Sequence, residues 1–305
     1  MKNNLAESIR SRLLNLSKSE DSDFSTLLTR YALERFLYRI SQSEYANIFL
    51  LKGALLFALW YDMPHRPTKD IDLLGFGQSD LLTMKHIFQE IASIPCEDGI
   101  CFDPSSITVD EIRKNTGYVG ARVILSGELA KARCKIQIDI GFGDAVTPEP
   151  IEATYPVLIN DLPAPCLRAY PVYTVIAEKL HAIAMLGMAN SRLKDYLDLS
   201  VMFDREEIDA NILACAIVAT FRRRGTEIPL NLPIGLTDEF GSDVSRQSIW
   251  SVFLKKNELQ SISLQNVVVA LRSHLEPVLK QAVLLSSDDQ LTPNQKTIGS
   301  VPKFL

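Results

Sequence analysis

Residues 70–76, DIDLLGF, constrain the fold more than any other part of the chain. Polar and apolar residues alternate there, and this period of two is typical of a β-strand with one buried face. Successive side chains of a strand point to opposite faces, so Asp70 and Asp72 share one face while Ile71 and Leu73 point into the core. The segment therefore predicts a sheet strand that presents two neighbouring carboxylates.

Two carboxylates side by side repel each other and are usually neutralised by a cation. Because no His or Cys flanks Asp70 and Asp72 within the strand, their hard oxygen ligands favour Mg²⁺ or Mn²⁺. Mg²⁺ in proteins typically takes one or two carboxylates together with substrate phosphates. Taken alone, however, a D-x-D strand is more often a solvated face than a metal site, so its surroundings decide between the two interpretations.

A third carboxylate lies in a similar setting. In residues 134–142, CKIQIDIGF, Gln137 and Asp139 share a face and isoleucines occupy the other. If this strand lies beside Asp70 and Asp72, the three carboxylates form a metal site. Two metal ions could then clamp the attacking and leaving oxygens of a phosphoryl displacement, and Asp139 would help to deprotonate or orient the acceptor hydroxyl.

The Lys52-Gly53-Ala54 turn stands between an apolar run and a predicted helix. Glycine lets backbone N–H groups approach a phosphate closely, and a helix N-terminus favours an anion. The pattern predicts a nucleotide-binding turn, but an ordinary tight turn before a buried helix explains it equally well.

Three polar residues precede the carboxylate strand: Arg66, Thr68 and Lys69. Arg66 and Lys69 could each contact a phosphate or balance the charge of the two carboxylates. The Thr68 hydroxyl could contact a phosphate or form a local cap.

Two helical segments further along carry a second set of charges. Lys179 lies in AEKLHAIAML, and Asp195 follows in RLKDYLDLS. A salt-bridged surface helix is one interpretation of this pattern. The other is functional, with Lys179 neutralising a triphosphate and Asp195 holding a cationic side chain or a nucleotide group.

The order of these elements predicts an α/β (α+β) fold, a mixed sheet flanked by helices and followed by a helical lobe. We expect residues 1–165 to form the core with N-terminal helices and residues 166–284 to form a lobe that completes the active site. Residues 285–305 are polar and should be a loosely ordered tail. Residues 148–165 hold five prolines and are expected to connect the two parts.

Composition limits the classes of function. The net charge is −5, so a nucleic-acid partner would require a local basic patch such as Arg222-Arg223-Arg224, although a charge run of this kind is more often a solvated helix end. The five cysteines are odd in number and form no CxxC pair, which favours free thiols in a reducing compartment. The longest apolar run, residues 53–61, is far short of the roughly 18 residues that span a bilayer. We therefore expect a soluble, cytoplasmic protein with no membrane partner.

The succession KGALLF, HRPTKDIDL, IQIDI, AEKLHA and RLKDYLDL resembles the AbiEii/AbiGii toxin family of nucleotidyltransferases, which are related in fold to the DNA polymerase β-like nucleotidyltransferases. The resemblance covers about residues 48–203. The match at Arg66, Thr68, Asp70 and Asp72 is its most specific part. The chain departs from the family pattern after Gly53, where Ala-Leu replaces Gly-Thr.

The resemblance implies a two-lobed enzyme in which a helical bundle carries Lys179 and Asp195 across the cleft. It implies transfer of NMP from an NTP, a role as toxin in a bacterial toxin–antitoxin or phage-defence system, and restraint by an antitoxin. Some family members act on the 3′ end of tRNA. Two alternatives stay open: a protein that binds NTP, RNA or a partner without turnover, and transfer to a small-molecule or protein hydroxyl.

Overall fold

A computed structural model of the protein describes residues 2–61, 68–77, 79–113 and 119–290. The chain divides into two compact units, Met1–Pro171 and Val172–Leu305. The first contains a mixed sheet with helices, and the described part of the second is built from helices. The predicted fold class, a mixed-sheet core followed by a helical lobe, is confirmed.

The helices of the sheet unit are α1 Lys2–Ser19, α2 Phe24–Gln42, α3 Leu55–Tyr61 and α4 Leu81–Ser93. Its strands are β1 Phe49–Lys52, β2 Asp70–Gly75, β3 Ile100–Arg113, β4 Val119–Leu129, β5 Ala132–Phe142, β6 Ile151–Thr154 and β7 Cys166–Ala169. Within the described residues these strands form one sheet in the order β3-β4-β5-β2-β1-β7-β6. Strand β2 is parallel to β5 and β1 is parallel to β7, whereas the other neighbouring pairs are antiparallel.

The core of this unit follows from the alternation in β2 and β5. Ile71 of β2 and Ile136, Ile138 and Ile140 of β5 are fully buried, and α2 packs against β5. Burying each such side chain contributes about 1.5–3 kcal/mol. A shift of register by one residue would expose this whole set, so core packing also fixes which residues form the opposite, polar face.

Side-chain caps set the start of two helices in this unit. The Asp23 carboxylate accepts a hydrogen bond from the Thr26 N–H at 3.0 Å before α2, and Asp80 accepts one from the Thr83 N–H at 2.9 Å before α4. Each cap satisfies an N–H group that has no partner inside its helix and contributes about 1 kcal/mol.

The helices of the second unit are α5 Val172–Leu186, α6 Leu193–Arg205, α7 Ala210–Arg223, α8 Asp238–Ser242, α9 Val244–Lys256 and α10 Leu264–Gln290. Helices α5 and α10 pack on α7 around fully buried residues such as Leu180 and Ile217. One stretch, Val172–Ala189, is long and apolar enough to cross a membrane by length and composition, with a mean hydropathy of 1.3. A core helix of a soluble protein has the same properties, so this single stretch is weak evidence for a membrane span.

The structure corrects the expected proline-rich connection. Strand β6 lies inside residues 148–165, and β7 follows where a helical lobe was expected to begin. Strand β6 is a short, largely exposed edge strand, so it lacks the apolar alternation that reveals a strand in a sequence. Because β7 pairs with β1, the sheet unit ends after Pro171 rather than after residue 165.

Two element boundaries also differ from expectation. The segment ITVDEI, residues 107–112, predicts a strand in the sequence, but strand β3 begins earlier, at Ile100, and passes through an irregularity between Asp103 and Thr108. The expected loose tail from residue 285 is helical as far as Gln290. There the Ser286 and Ser287 hydroxyls donate to the Val283 carbonyl, so these polar residues continue the helix. The rest of the expected tail lies outside the described residues.

Candidate active site

A row of charged residues crosses the polar face of the sheet. In the strand register Asp110 pairs with Arg122, Arg122 with Asp139, Asp139 with Asp72, and Asp72 with Lys52. Residues paired in register point to the same face of a sheet. The structure therefore brings Asp72 and Asp139 together, as the two strand patterns led us to expect.

Asp70 lies one step along the same face from Asp72 and pairs in register with Gln137. The Thr68 hydroxyl donates a hydrogen bond to Asp70 Oδ1 at 2.8 Å, so Thr68 forms a local contact to the carboxylate. Lys69 is exposed. Arg66, expected to contact phosphate, lies outside the described residues.

Gly53 lies directly against Asp72. Its φ is +74°, in the left-handed region that favours glycine, and a Cβ at this position would lie 2.1 Å from Asp72 Oδ2. Ala54, where the resembling family has glycine, is nearly buried, and α3 begins one residue later at Leu55. The turn predicted to bind phosphate and one of the predicted metal ligands are thus in contact.

The Lys52 ammonium is directed into the sheet unit. It donates to Asp144 Oδ2 at 2.8 Å and to the Tyr170 hydroxyl at 3.3 Å, and it lies 5.0 Å from the centroid of the Tyr170 ring. Its side chain is only 9% exposed. Lys52 therefore compensates a carboxylate of the protein, and its predicted contact with a nucleotide stays a prediction.

The Arg122 guanidinium forms a bidentate ion pair with the Asp139 carboxylate. Its Nε donates to Asp139 Oδ1 at 2.8 Å and its terminal nitrogen to Oδ2 at 2.7 Å, while the Gln137 amide donates to Oδ1 at 3.2 Å. The hydrogen bond to Asp139 is the main reason that the pKa of Arg122 is raised, and the charges of Asp139, Asp70 and Asp72 add to it. A two-armed pair of this kind is among the stronger charge-assisted contacts in proteins.

Four charged residues of the second unit form a compact cluster where α5 and the start of α6 meet. Lys179 Nζ donates to Asp195 Oδ1 and to Asp198 Oδ2, both at 2.8 Å. Arg192 Nε donates to Asp195 Oδ2 at 2.6 Å. Both carboxylate side chains are 1% exposed, Lys179 is 12% exposed and Arg192 is 50% exposed. Solvent therefore reaches this cluster mainly at Arg192.

The charges of this cluster balance one another. Burial opposes the charged form of Lys179, but Asp195 and Asp198 outweigh it and raise the pKa of the ammonium above its ordinary value. Burial also opposes the charged form of Asp195, yet Lys179 and Arg192 lower the pKa of that carboxyl. The predicted residues Lys179 and Asp195 are thus brought into direct contact, with Asp198 as a partner that the sequence analysis did not assign to the site.

The chain is similar in sequence to a known protein family. The family model of the nucleotidyl transferase AbiEii toxin, of the type IV toxin–antitoxin system, matches residues 35–268. The chain belongs to the AbiEii family. The family makes it a nucleotidyltransferase toxin of a toxin–antitoxin system, with an NTP as substrate and a cognate antitoxin as partner.

Two solved structures from Helicobacter pylori are similar to this AbiEii-family chain. One is a candidate nucleotidyltransferase, with 17% identity, a TM-score of 0.43, and coverage of 85% of this chain and 95% of that one. The other is JHP933, with 17% identity, a TM-score of 0.43, and coverage of 84% and 91%. No curated protein matches the chain.

Metal binding in this AbiEii-family protein was tested against the geometry of the sheet face. In the part of the chain that the structure describes, no group of three His, Cys, Asp or Glu side chains is arranged to hold a metal ion. Asp70 and Asp72 still provide two carboxylates on one face, which suits a Mg²⁺ ion that takes its other ligands from phosphates and water. A third ligand at Asp139 stays a prediction, because both of its oxygens bond to Arg122.

Sequence reasoning missed Arg122 as a site residue. A signal was present in the sequence. Residues 118–125, YVGARVIL, predict a strand that contains Arg122, and the segment between it and the Asp139 strand has the length of a hairpin turn. Pairing the two residues required the position of the turn, which is Ala130-Lys131. Both residues have positive φ, of 46° and 67°, and neither is of a type that usually signals such a turn.

Proposed function

We propose that this AbiEii-family protein uses Mg²⁺ or Mn²⁺ to transfer a nucleoside monophosphate from an NTP to the 3′ end of a tRNA. The observation that carries the proposal is the contact between Asp72 and the Gly53 turn, beside Asp70 on the same strand. The two carboxylates proposed to bind the metal ion are thereby next to the backbone turn proposed to bind a phosphate. Family membership supports the NTP substrate and the role as a toxin.

In this proposal each residue of the sheet face has one task. Asp70 and Asp72 would hold the metal ion, which supplies charge neutralisation of the phosphates when bound. The backbone of Gly53 and Ala54 would bind phosphate oxygens. Asp139, beside Asp72, would accept a hydrogen bond from the acceptor hydroxyl and orient it for attack.

Thr68 and Lys69 retain supporting tasks in the proposal. Thr68 orients Asp70 through its hydrogen bond, and the exposed Lys69 would contact phosphate. The helical unit is proposed to contribute Lys179 and Asp195 to the same reaction. Because Lys179 is bonded to two buried carboxylates, its contribution would be to fix Asp195, which in turn holds Arg192.

Only part of the predicted basic patch at the end of α7 is exposed to an RNA backbone. Arg224 approaches His181 Nδ1 at 3.1 Å and Glu178 at 3.6 Å, and its side chain is 13% exposed. Arg222 and Arg223, at the end of α7, are exposed. Two arginines of the predicted basic patch, rather than three, are thus presented to solvent.

Labelled NTPs supply the direct test. The full chain would be incubated with Mg²⁺, total tRNA and each of the four α-³²P-labelled NTPs, and labelled RNA would be sequenced at its 3′ end. We expect label on tRNA from at least one NTP and about 10²–10³-fold less label with Asp72→Asn. The matched control is Asp110→Asn, which removes an exposed carboxylate from the same row of the sheet.

Three outcomes would contradict the proposal in different ways. NTP binding seen by calorimetry without transfer from any nucleotide would favour a binding protein. Label on the protein itself or on a small molecule would keep the reaction and change the acceptor. Growth inhibition that persists in cells making Asp72→Ala would separate toxicity from this site.

A further inference from the structure

The environment of Asp139 differs from that of a carboxylate waiting for a metal ion. Both oxygens accept hydrogen bonds from Arg122, and Oδ1 also accepts one from Gln137. The Asp139 side chain is only 13% exposed. The hydrogen bonds come from within the sheet itself, because Arg122 on β4 and Gln137 on β5 are fixed by strand pairing.

This environment divides the carboxylates of the face into two kinds. Asp139 has a guanidinium as its cation, whereas the neutral Thr68 hydroxyl donates a hydrogen bond to Asp70. Arg122 is 38% exposed and its charge also acts on Asp70 and Asp72. A second divalent ion bridging Asp72 and Asp139 would have to displace this guanidinium and would be repelled by it.

We propose that Arg122 takes the place of a second metal ion, so that the site binds one divalent cation per nucleotide, on Asp70 and Asp72. This inference rests on the proposed function, and it replaces the two-metal arrangement expected from three converging carboxylates. Arg122 then acts as a positioning residue that holds Asp139 in place beside the nucleotide.

Counting bound ions tests the inference without measuring turnover. The full chain would be dialysed to equilibrium against Mn²⁺ and the α,β-methylene analogue of each NTP, which cannot transfer its nucleotide. Bound Mn²⁺ would be counted by electron paramagnetic resonance and bound nucleotide by absorbance. We expect one Mn²⁺ per nucleotide and a spectrum without coupling between ions.

A set of variants tests whether the Arg122–Asp139 pair is what limits the site to one Mn²⁺ ion per nucleotide. Arg122→Gln frees Asp139, so we expect a second Mn²⁺ and the spin coupling of ions about 3.5–4 Å apart. Arg122→Gln with Asp139→Asn should return the count to one. The control is Arg133→Gln on the same hairpin, where the side chain is 87% exposed and pairs with Glu128, and its count should stay at one.

Each outcome bears on a different claim. Two coupled Mn²⁺ ions in the unaltered protein would overturn the inference and leave the proposed function intact. A count of one in folded Arg122→Gln would also overturn it, since Arg122 would not then be what excludes the second ion. Circular dichroism shows whether Arg122→Gln folds. If it does not, the number of Mn²⁺ ions per nucleotide is compared between the unaltered protein and Asp139→Asn. One ion in both proteins supports the inference, and a fall from two ions to one in Asp139→Asn overturns it. Nucleotide bound with no Mn²⁺ at all would contradict the proposed function as well.

Discussion

Asp70 and Asp72 on β2, and Asp195 and Asp198 on α6, are both pairs of carboxylates close together in the sequence, but their surroundings differ. The strand pair is partly exposed on a polar sheet face. The helix pair is 1% exposed, and Lys179 donates a hydrogen bond to each of its members. The helix pair is therefore buried around its own cation, whereas the strand pair lies on a face that solvent and a ligand can reach. Burial therefore separates the two pairs, because only the partly exposed carboxylates are placed where a ligand can reach them.

The comparison predicts that Lys179 matters first for stability. Lys179→Met would leave two buried carboxylates without their shared cation, and breaking a buried ion pair from one side costs about 3–5 kcal/mol. We expect a fall of that size in the free energy of unfolding, measured by urea denaturation. Lys194→Met is the control, because Lys194 is an exposed lysine on α6 and its loss should change stability by less than about 0.5 kcal/mol. Equal stability of the two variants would break the comparison.

Asp72 is expected to matter for activity rather than for stability. In Asp72→Asn we expect nucleotidyl transfer to fall by about 10²–10³-fold, the usual cost of losing one electrostatic stabiliser of a transition state. Its thermal midpoint should stay close to that of the unaltered protein, because the site is partly exposed and the shape of the side chain is kept. Activity is measured with labelled NTP and stability by thermal denaturation. If Asp72→Asn transfers nucleotide at the same rate as Asp110→Asn, the sheet face takes no part in the reaction.

Gly53→Ala tests whether the turn and the carboxylate act together. The new Cβ would lie 2.1 Å from Asp72 Oδ2, so either Asp72 or the turn must move. We expect a loss of about 1–3 kcal/mol of stability together with a clear loss of transfer. Gly225→Ala is a matched control, since Gly225 also has positive φ, +61°, but a Cβ there meets nothing within 4 Å. Gly225→Ala should lower the free energy of unfolding by about 1–2 kcal/mol, from backbone strain alone, and should leave nucleotidyl transfer unchanged.

The same contrast explains how much could be predicted from the sequence. Local periodicity was enough for β2 and β5, because alternating residues show which side chains are buried without knowledge of the neighbouring strands. The lysine of α5 and the carboxylate of α6 could be recognised separately by resemblance. Their contact with Asp198 depends on how the two helices pack, which the spacing along one helix does not reveal. Arg122 was missed for a similar reason, since its partner depends on the Ala130-Lys131 turn.

Glu34 extends the comparison to pH. Burial raises the pKa of this carboxyl in the sheet unit to about 7, although Arg35 and the Leu158 N–H partly oppose the shift. Because the folded state holds the proton more tightly than the unfolded state, its contribution to stability is complete below about pH 4.5 and is lost as pH rises towards 7. Asp195 in the helical unit has a lowered pKa, so its contribution is lost only as pH falls.

Glu34→Gln should therefore flatten the pH dependence of unfolding between pH 4.5 and 7. Each unit of the pKa difference corresponds to about 1.4 kcal/mol, so the slope should be measurable by urea denaturation across this range. Glu20→Gln is the control, because Glu20 is an exposed carboxyl that pairs with Arg30 at 3.8 Å, and its loss should leave the slope unchanged. A slope that survives in Glu34→Gln would show that another group of the chain titrates there. The contrast between the two units would then rest on the helical cluster alone, since the acid-side loss at Asp195 does not depend on Glu34.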